Sequence, residues 1–304
     1  MAKPREITGL DCEKRSLAWV SKILLTRFDE MAEFRHAATG FAEIKGVHDM
    51  RVAARRVRSV LRDVEPFLDK EPLKEVKKAL KAISDALGAV RDQDVAIGAL
   101  KKWAEETEGD DIKAGIDHLS EEKADKRNTA RSDLTGIITA EKVDDLGKDL
   151  KSAIKEASAD AEKISFSDAA GQMVAANLDE MLDLAPRLYK PFKRNGLHKL
   201  RIAAKRIRYS LELAALCSGP DAKKLAKEVS RMQDFLGELH DCDIWIDELS
   251  KRLTGEPDEN EREAAAWLLP LFVRKQNKEY LSAIDLWEQW RKNDLVERIK
   301  ALFG

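Results

Sequence analysis

Between Gly46 and Arg62 the chain carries five arginines and one histidine against a single acid, Asp49. His48, Arg51, Arg55, Arg58 and Arg62 follow a 3-4-3-4 spacing. On a helix that spacing makes one stripe beside an apolar arc of Val47, Met50, Ala54, Val57 and Leu61. At 1.5 Å per residue the stripe rises about 15 Å from His48 to Arg58. Its chemistry is anion recognition, because guanidinium forks suit bidentate phosphate contacts. Like charges one turn apart cost about 0.2–0.5 kcal/mol per pair, so four such neighbours cost about 1–2 kcal/mol with His48 protonated. A bound polyanion would remove that repulsion. So would carboxylates from neighbouring helices, of which fifty-six acids in the chain offer a supply. Arg56 points away from the stripe, where a salt bridge is the expected arrangement.

The same pattern occurs twice. GLHKLRIAAKRIRYSL from Gly196 repeats GVHDMRVAARRVRSVL from Gly46 at an offset of 150, with eight of sixteen positions identical. Its stripe is His198, Arg201, Lys205 and Arg208; Leu197, Leu200, Ala204, Ile207 and Leu211 form the apolar side, and Arg206 corresponds to Arg56. The next helix adds Lys74, Lys78 and Lys81 in the first copy and Lys224, Lys227 and Arg231 in the second. Upstream, Phe28-Asp29-Glu30-Met31 matches Leu178-Asp179-Glu180-Met181; downstream, ALGAVRDQDV from Ala86 matches FLGELHDCDI from Phe235. An internal duplication of about 150 residues follows, far longer than a solenoid repeat.

Other chemistry is weaker. His48 and His198 fit a helix N-terminal or partly buried histidine, a phosphate contact, or a metal ligand. The metal reading wants several converging ligands. His240 and Cys242 offer candidates in the second copy, but Arg91 and Gln93 stand there in the first. Asp92/Asp94 and Asp241/Asp243 fit capping and salt bridges to arginine. No phosphate loop, dinucleotide motif, nucleophile elbow, zinc-protease motif or C-x-x-C pair is present. No catalytic residue, metal site or cofactor is therefore predicted.

The elements that must position these residues are helical. The 304 residues are 43% hydrophobic and 36% charged, above the roughly 25% charged of average proteins, with only 15 Gly, 8 Pro and 6% aromatics. Net charge is −2, so the cationic segments are local features of a nearly neutral chain. Helices are predicted over Cys12–Ala38, Val47–Phe67 and Pro72–Leu87, then after a break at Gly88 to about Glu106, and over Asp110–Arg131 and Ala140–Lys163. The second half predicts 168–188, 197–216, 221–237 and 239–252, an acidic loop at Gly255–Asn260, and two Trp-rich helices broken near Pro270. Trp267, Trp287 and Trp290 read as core or interface. No apolar run approaches a membrane span and no signal peptide is visible, so a cytoplasmic protein without membrane contact is expected. Cys12, Cys217 and Cys242 are odd in number and widely spaced, implying no disulfide framework.

The doubled G-[VL]-H-x-[ML]-R-[VI]-A-A-[RK]-R-[VI]-R helix followed by L-G-x-x-[RH]-D-x-D resembles the CHAD domain, the conserved histidine α-helical domain. The Lys205–Glu212 run is especially similar, and the resemblance covers about residues 10 to 300. It implies an all-α fold of two four-helix bundles, residues 10–163 and 164–304, related by a pseudo-twofold axis around a central basic groove or pore. It also implies non-enzymatic binding of inorganic polyphosphate there, with some family members on polyphosphate granules. The implied binding residues are His48, Arg51, Arg55, Arg58, Arg62, Lys78, Lys81, His198, Arg201, Lys205, Arg208, Lys227 and Arg231. The E-x-E-x-K signature of the triphosphate tunnel enzymes often fused to this domain is missing here. The alternatives are a metal-dependent phosphohydrolase, an acidic-protein scaffold, and a nucleic-acid-binding module. The last expects stacking aromatics among the cations, and only Tyr209 lies on the basic helices.

Overall fold

The computed structural model describes residues 4–41, 44–255 and 258–303, and every regular element among them is helical. The chain divides into two compact units, residues 1–99 with 121–169 and residues 100–120 with 170–304.

The first unit holds α1 (Ala18–Glu33), α2 (Arg35–Gly40), α3 (Ile44–Val64), α6 (Ala140–Ala157), residues 74–99 of α4 (Lys74–Glu106) and residues 121–137 of α5 (Asp110–Ile137). The apolar arc predicted for α3 is buried at every position, and it packs on α1 through Val20, Ile23, Leu24, Phe28 and Met31. Gly46 lets α3 approach α2, since a methyl there would lie 2.2 Å from the Ala37 carbonyl oxygen. The helix expected from Cys12 begins only at Ala18. Asp11 Oδ1 instead accepts from the Lys14 amide at 3.1 Å, a local turn that competes with helix. Pro66 falls in a 3-10 turn, Glu65–Phe67, that ends α3. Thr139 caps α6, its hydroxyl accepting from the Lys142 amide at 3.3 Å.

The predicted break at Gly88 is absent, because α4 runs unbroken through it. Glycine costs a helix interior about 1 kcal/mol relative to alanine. Buried Leu80, Ile83, Leu87 and Val90 on one face outweigh that cost.

The second unit holds α8 (Arg194–Ser218), α9 (Pro220–Thr254), α10 (Glu259–Lys292), α11 (Leu295–Phe303), most of α7 (Phe166–Leu184), the end of α4 and the start of α5. Leu197, Leu200, Ala204, Ile207 and Leu211 of α8 are buried as predicted, with α9 packed against both α8 and α10. α9 likewise runs through Gly237, correcting the two shorter helices expected there. α10 passes through Pro270 without breaking. Pro270 and Ala266 one turn earlier are both exposed, so water can take the carbonyl that proline leaves unpaired, while Leu268 and Phe272 anchor both sides. Trp103 meets Trp267 edge-on at 6.1 Å, Trp245 stacks on Phe272 at 5.1 Å, and Trp287 meets Trp290 at 6.1 Å. Asp258 caps α10, accepting from the Glu261 amide at 2.8 Å; Glu256 and Pro257 of the expected acidic loop lie outside the described residues.

No described helix is long and apolar enough to cross a membrane. Cys242 is a buried free thiol.

Candidate functional site

In the first unit the stripe along α3 is graded. His48 is half-buried; burial and the neighbouring Arg91 lower its pKa from 6.5, with Asp49 opposing. Arg51 lies against bare helix at Gly88, where a methyl would touch its Nε at 3.7 Å, and its Nη2 is 3.6 Å from Asp92. Arg55 is half-exposed and Arg58 exposed, and neither has an ion-pair partner among the described residues. Arg62 is committed locally: its Nε donates to Asp63 Oδ1 at 2.9 Å. On α4, Lys78 and Lys81 are exposed and pair along their own helix, with Glu75 at 3.9 Å and Asp85 at 2.6 Å. Such pairs contribute little and exchange readily for a better anion.

The predicted off-stripe role of Arg56 holds. Its guanidinium pairs with buried Glu30, which also takes Arg27 at 2.9 Å. The second unit repeats the arrangement with Arg206 and Glu180, both shifted by the repeat offset.

In the second unit His198 is half-buried, its pKa lowered by burial and by His240, Arg201 and Lys205. The His198 and His240 rings lie 4.6 Å apart, tilted by 47°. His198 Nδ1 is buried with no hydrogen-bond partner among the described residues. Arg201 lies against Gly237 as Arg51 does against Gly88, at 3.8 Å. Lys205 is half-exposed. Arg208 is held by Glu212 at 2.8 Å and Gln233 at 3.1 Å, with its guanidinium 5.3 Å from the Tyr209 ring. Lys227 and Arg231 of α9 are exposed and without an ion pair among the described residues. Across α8 from the stripe, a hollow of about 420 Å³ is lined by Glu180, Asp183, Lys199 and Arg206; its balanced charge does not suit a polyanion.

Both L-G-x-x-[RH]-D-x-D segments lie inside helices, so their aspartates do not cap helix ends. Asp94 is buried 3.6 Å from Arg127 and 3.9 Å from Arg131, and Arg131 also covers the Phe41 ring at 4.8 Å. Burial and Arg127 lower the Arg131 pKa, against the pull of Asp94. Asp243 accepts from Arg194 Nε at 3.1 Å and from Gln276 Nε2 at 2.5 Å. Burial raises the Asp243 pKa, opposed by Arg194.

Sequence reasoning missed Arg91 and His240 as neighbours of the two histidines. The signal was present at the [RH] position of the repeated motif, which falls at matched places on α4 and α9. It also missed Arg127 and Arg131, whose only signal was an i, i+4 pair on a long helix, and Phe192, which is 96% exposed just before α8.

A family model for the CHAD domain matches residues 22–250. Among solved structures, the crystal structure of the CHAD domain from the plant Ricinus communis superposes with a TM-score of 0.75 at 19% identity, covering 92% of this chain and 94% of that one. PptA from Streptomyces chartreusis superposes with a TM-score of 0.70 at 12% identity, covering 90% of this chain and all of that one. At such identities the likeness speaks for the fold alone. No curated protein matches the sequence. The matched span takes in both basic helices and both aspartate-bearing segments that follow them, and the chain belongs to the CHAD-domain family.

Proposed function

We propose that this protein binds inorganic polyphosphate, without turning it over, through the cations that α3 and α8 present in their respective units. The observation that carries the reading is the sorting of arginines on α3. Arg56, off the stripe, is neutralised by a buried glutamate, while Arg55 and Arg58, on it, have no ion pair among the described residues. A fold that has carboxylates to spare and leaves these cations open is arranged for an external anion. Half-buried and exposed guanidiniums one turn apart suit a linear chain of phosphates better than a single compact ion.

Calorimetric titration with long-chain polyphosphate at about 150 mM salt tests this. The R55E/K205E variant should lose binding while its circular dichroism stays that of the parent. Unchanged affinity in the folded variant would reject the site. Incubation with Mg²⁺ or Mn²⁺ should release no phosphate; steady release would make the protein a phosphohydrolase. Association with polyphosphate in the cytoplasm belongs to the same reading.

One observation favours a second reading. Phe192 projects into solvent between Lys190 and Lys193, an aromatic among cations of the kind that stacks on single-stranded nucleic acid. Single-stranded DNA should fail to displace polyphosphate; displacement that F192A abolishes would turn the assignment to nucleic acid.

A further inference from the structure

We infer that the hollow between α7 and α8 of the second unit docks a short non-helical segment of a partner protein, in which one basic residue is followed two positions later by an aliphatic one. The first unit holds a segment of this chain itself in the matching way. The inference is independent of the polyphosphate reading.

Residues 4–9 precede α1 and form no regular element, yet they are held against that helix. The Arg5 amide donates to Glu30 Oε2 at 3.2 Å, and the Arg5 guanidinium pairs with Glu33. Arg27 Nη1 donates to the Arg5 carbonyl at 2.7 Å, and Lys22 Nζ to the Gly9 carbonyl at 2.6 Å. Each of these bonds has a charged partner, the stronger class of hydrogen bond. Ile7, two residues after Arg5, is buried.

The internal repeat carries the same positions into the second unit. At the offset of 150, Glu30, Glu33, Val52 and Arg56 become Glu180, Asp183, Ile202 and Arg206, and all four line the hollow of about 420 Å³. The two units differ in cover. The Arg56 and Glu30 side chains are 12% and 4% exposed, whereas those of Arg206 and Glu180 are 33% and 36% exposed. Val52 is buried and Ile202 only half-buried. Asp183, the counterpart of the acid that takes Arg5, is exposed and has no ion pair among the described residues.

Residues 4–9 are already bound in their own unit, so the occupant is a segment of another protein. Lys199 stands where the first unit has Asp49, so the lining carries two acids and two bases. That balance suits a segment with a single cation for Asp183, not a basic run. Leu184 and Ile202 supply apolar surface for its aliphatic residue.

The probe is a capped, fluorescein-labelled peptide of residues 4–10, titrated with the full chain and read by fluorescence anisotropy. The parent should bind it saturably. D183K, a change at an exposed position, should weaken binding about fivefold or more, and the peptide carrying Arg5→Glu should recover affinity on D183K. I202R should abolish binding while its circular dichroism stays that of the parent. No binding of the peptide to the parent overturns the inference. Equal affinity for the parent and both variants also overturns it, because the peptide would then be replacing residues 4–9 in the first unit. Tighter binding of an all-lysine peptide of the same length overturns it too, since the acids alone would account for that. A parent dimer that D183K disperses in sedimentation would overturn the partner protein and give the hollow to residues 4–9 of a second copy.

Discussion

At the residue scale, arginines four or fewer positions apart do unrelated jobs. Arg56 closes a buried pair with Glu30, and R56A should destabilise the protein by about 1–3 kcal/mol in urea denaturation, since a buried carboxylate loses a partner. Arg58 touches solvent, and R58A should leave stability within about 0.5 kcal/mol while lowering the salt-dependence slope of polyphosphate binding by about one. The histidines have a sign of their own. Burial holds the pKa values of His48 and His198 below 6.5, so the unfolded chain binds more protons than the folded one as pH falls through that value. Stability contributed by the neutral rings is present above pH 6.5 and lost on acidification, and H48Q/H198Q should lose less stability than the parent between about pH 7.5 and 5.5. Asp243, raised by burial, works in the opposite sense nearer the carboxylate range. Burial pushes the Cys242 thiol up to about 11. It should resist alkylation at about pH 8 in the native protein and label only on unfolding, as read by mass spectrometry.

At the element scale, the two glycine types in the repeat have different roles. Gly46 admits the Ala37 carbonyl at a distance no side chain tolerates, so G46A should lower the melting temperature sharply. Gly88 faces only the Arg51 guanidinium at ordinary contact distance, so G88A should be tolerated and should gain up to about 1 kcal/mol of helix propensity. A larger side chain at Gly88 would push Arg51 aside and should weaken binding. Element continuity was the least legible feature of the sequence. Gly88, Gly237 and Pro270 each read as interruptions, yet each falls inside a long helix. Local propensity differences of about 1 kcal/mol, or about 3 for proline, are smaller than the burial of the leucines and aromatics on either side. The aspartates beside Gly88 and Gly237 were misplaced as caps for the same reason.

At the scale of the whole molecule, a net charge of −2 coexists with two strongly cationic helices. On the proposed reading, near neutrality limits indiscriminate adhesion while the local cations draw the polyanion. Saturating polyphosphate at about a hundredfold over Kd should stabilise the folded state by about 2.7 kcal/mol, seen as a raised melting temperature that high salt abolishes. A thermal shift that persists at high salt would point to contacts other than the cationic stripes.

What the sequence by itself determined is what repeats and periods can carry: an all-helical chain, the duplicated basic helix, the stripe and its apolar backing, and the off-stripe roles of Arg56 and Arg206. These depend on residues within a few turns of one another, where helical geometry alone decides neighbours. Only the tertiary structure decided which charges are already neutralised and which stand open. That Gln233 of α9 holds Arg208, that Asp94 gathers Arg127 and Arg131, and that His240 meets His198 while Arg91 meets His48 are all consequences of packing between helices distant in sequence. A charge's availability depends on its distance from others in space, and spacing along the chain does not contain that distance.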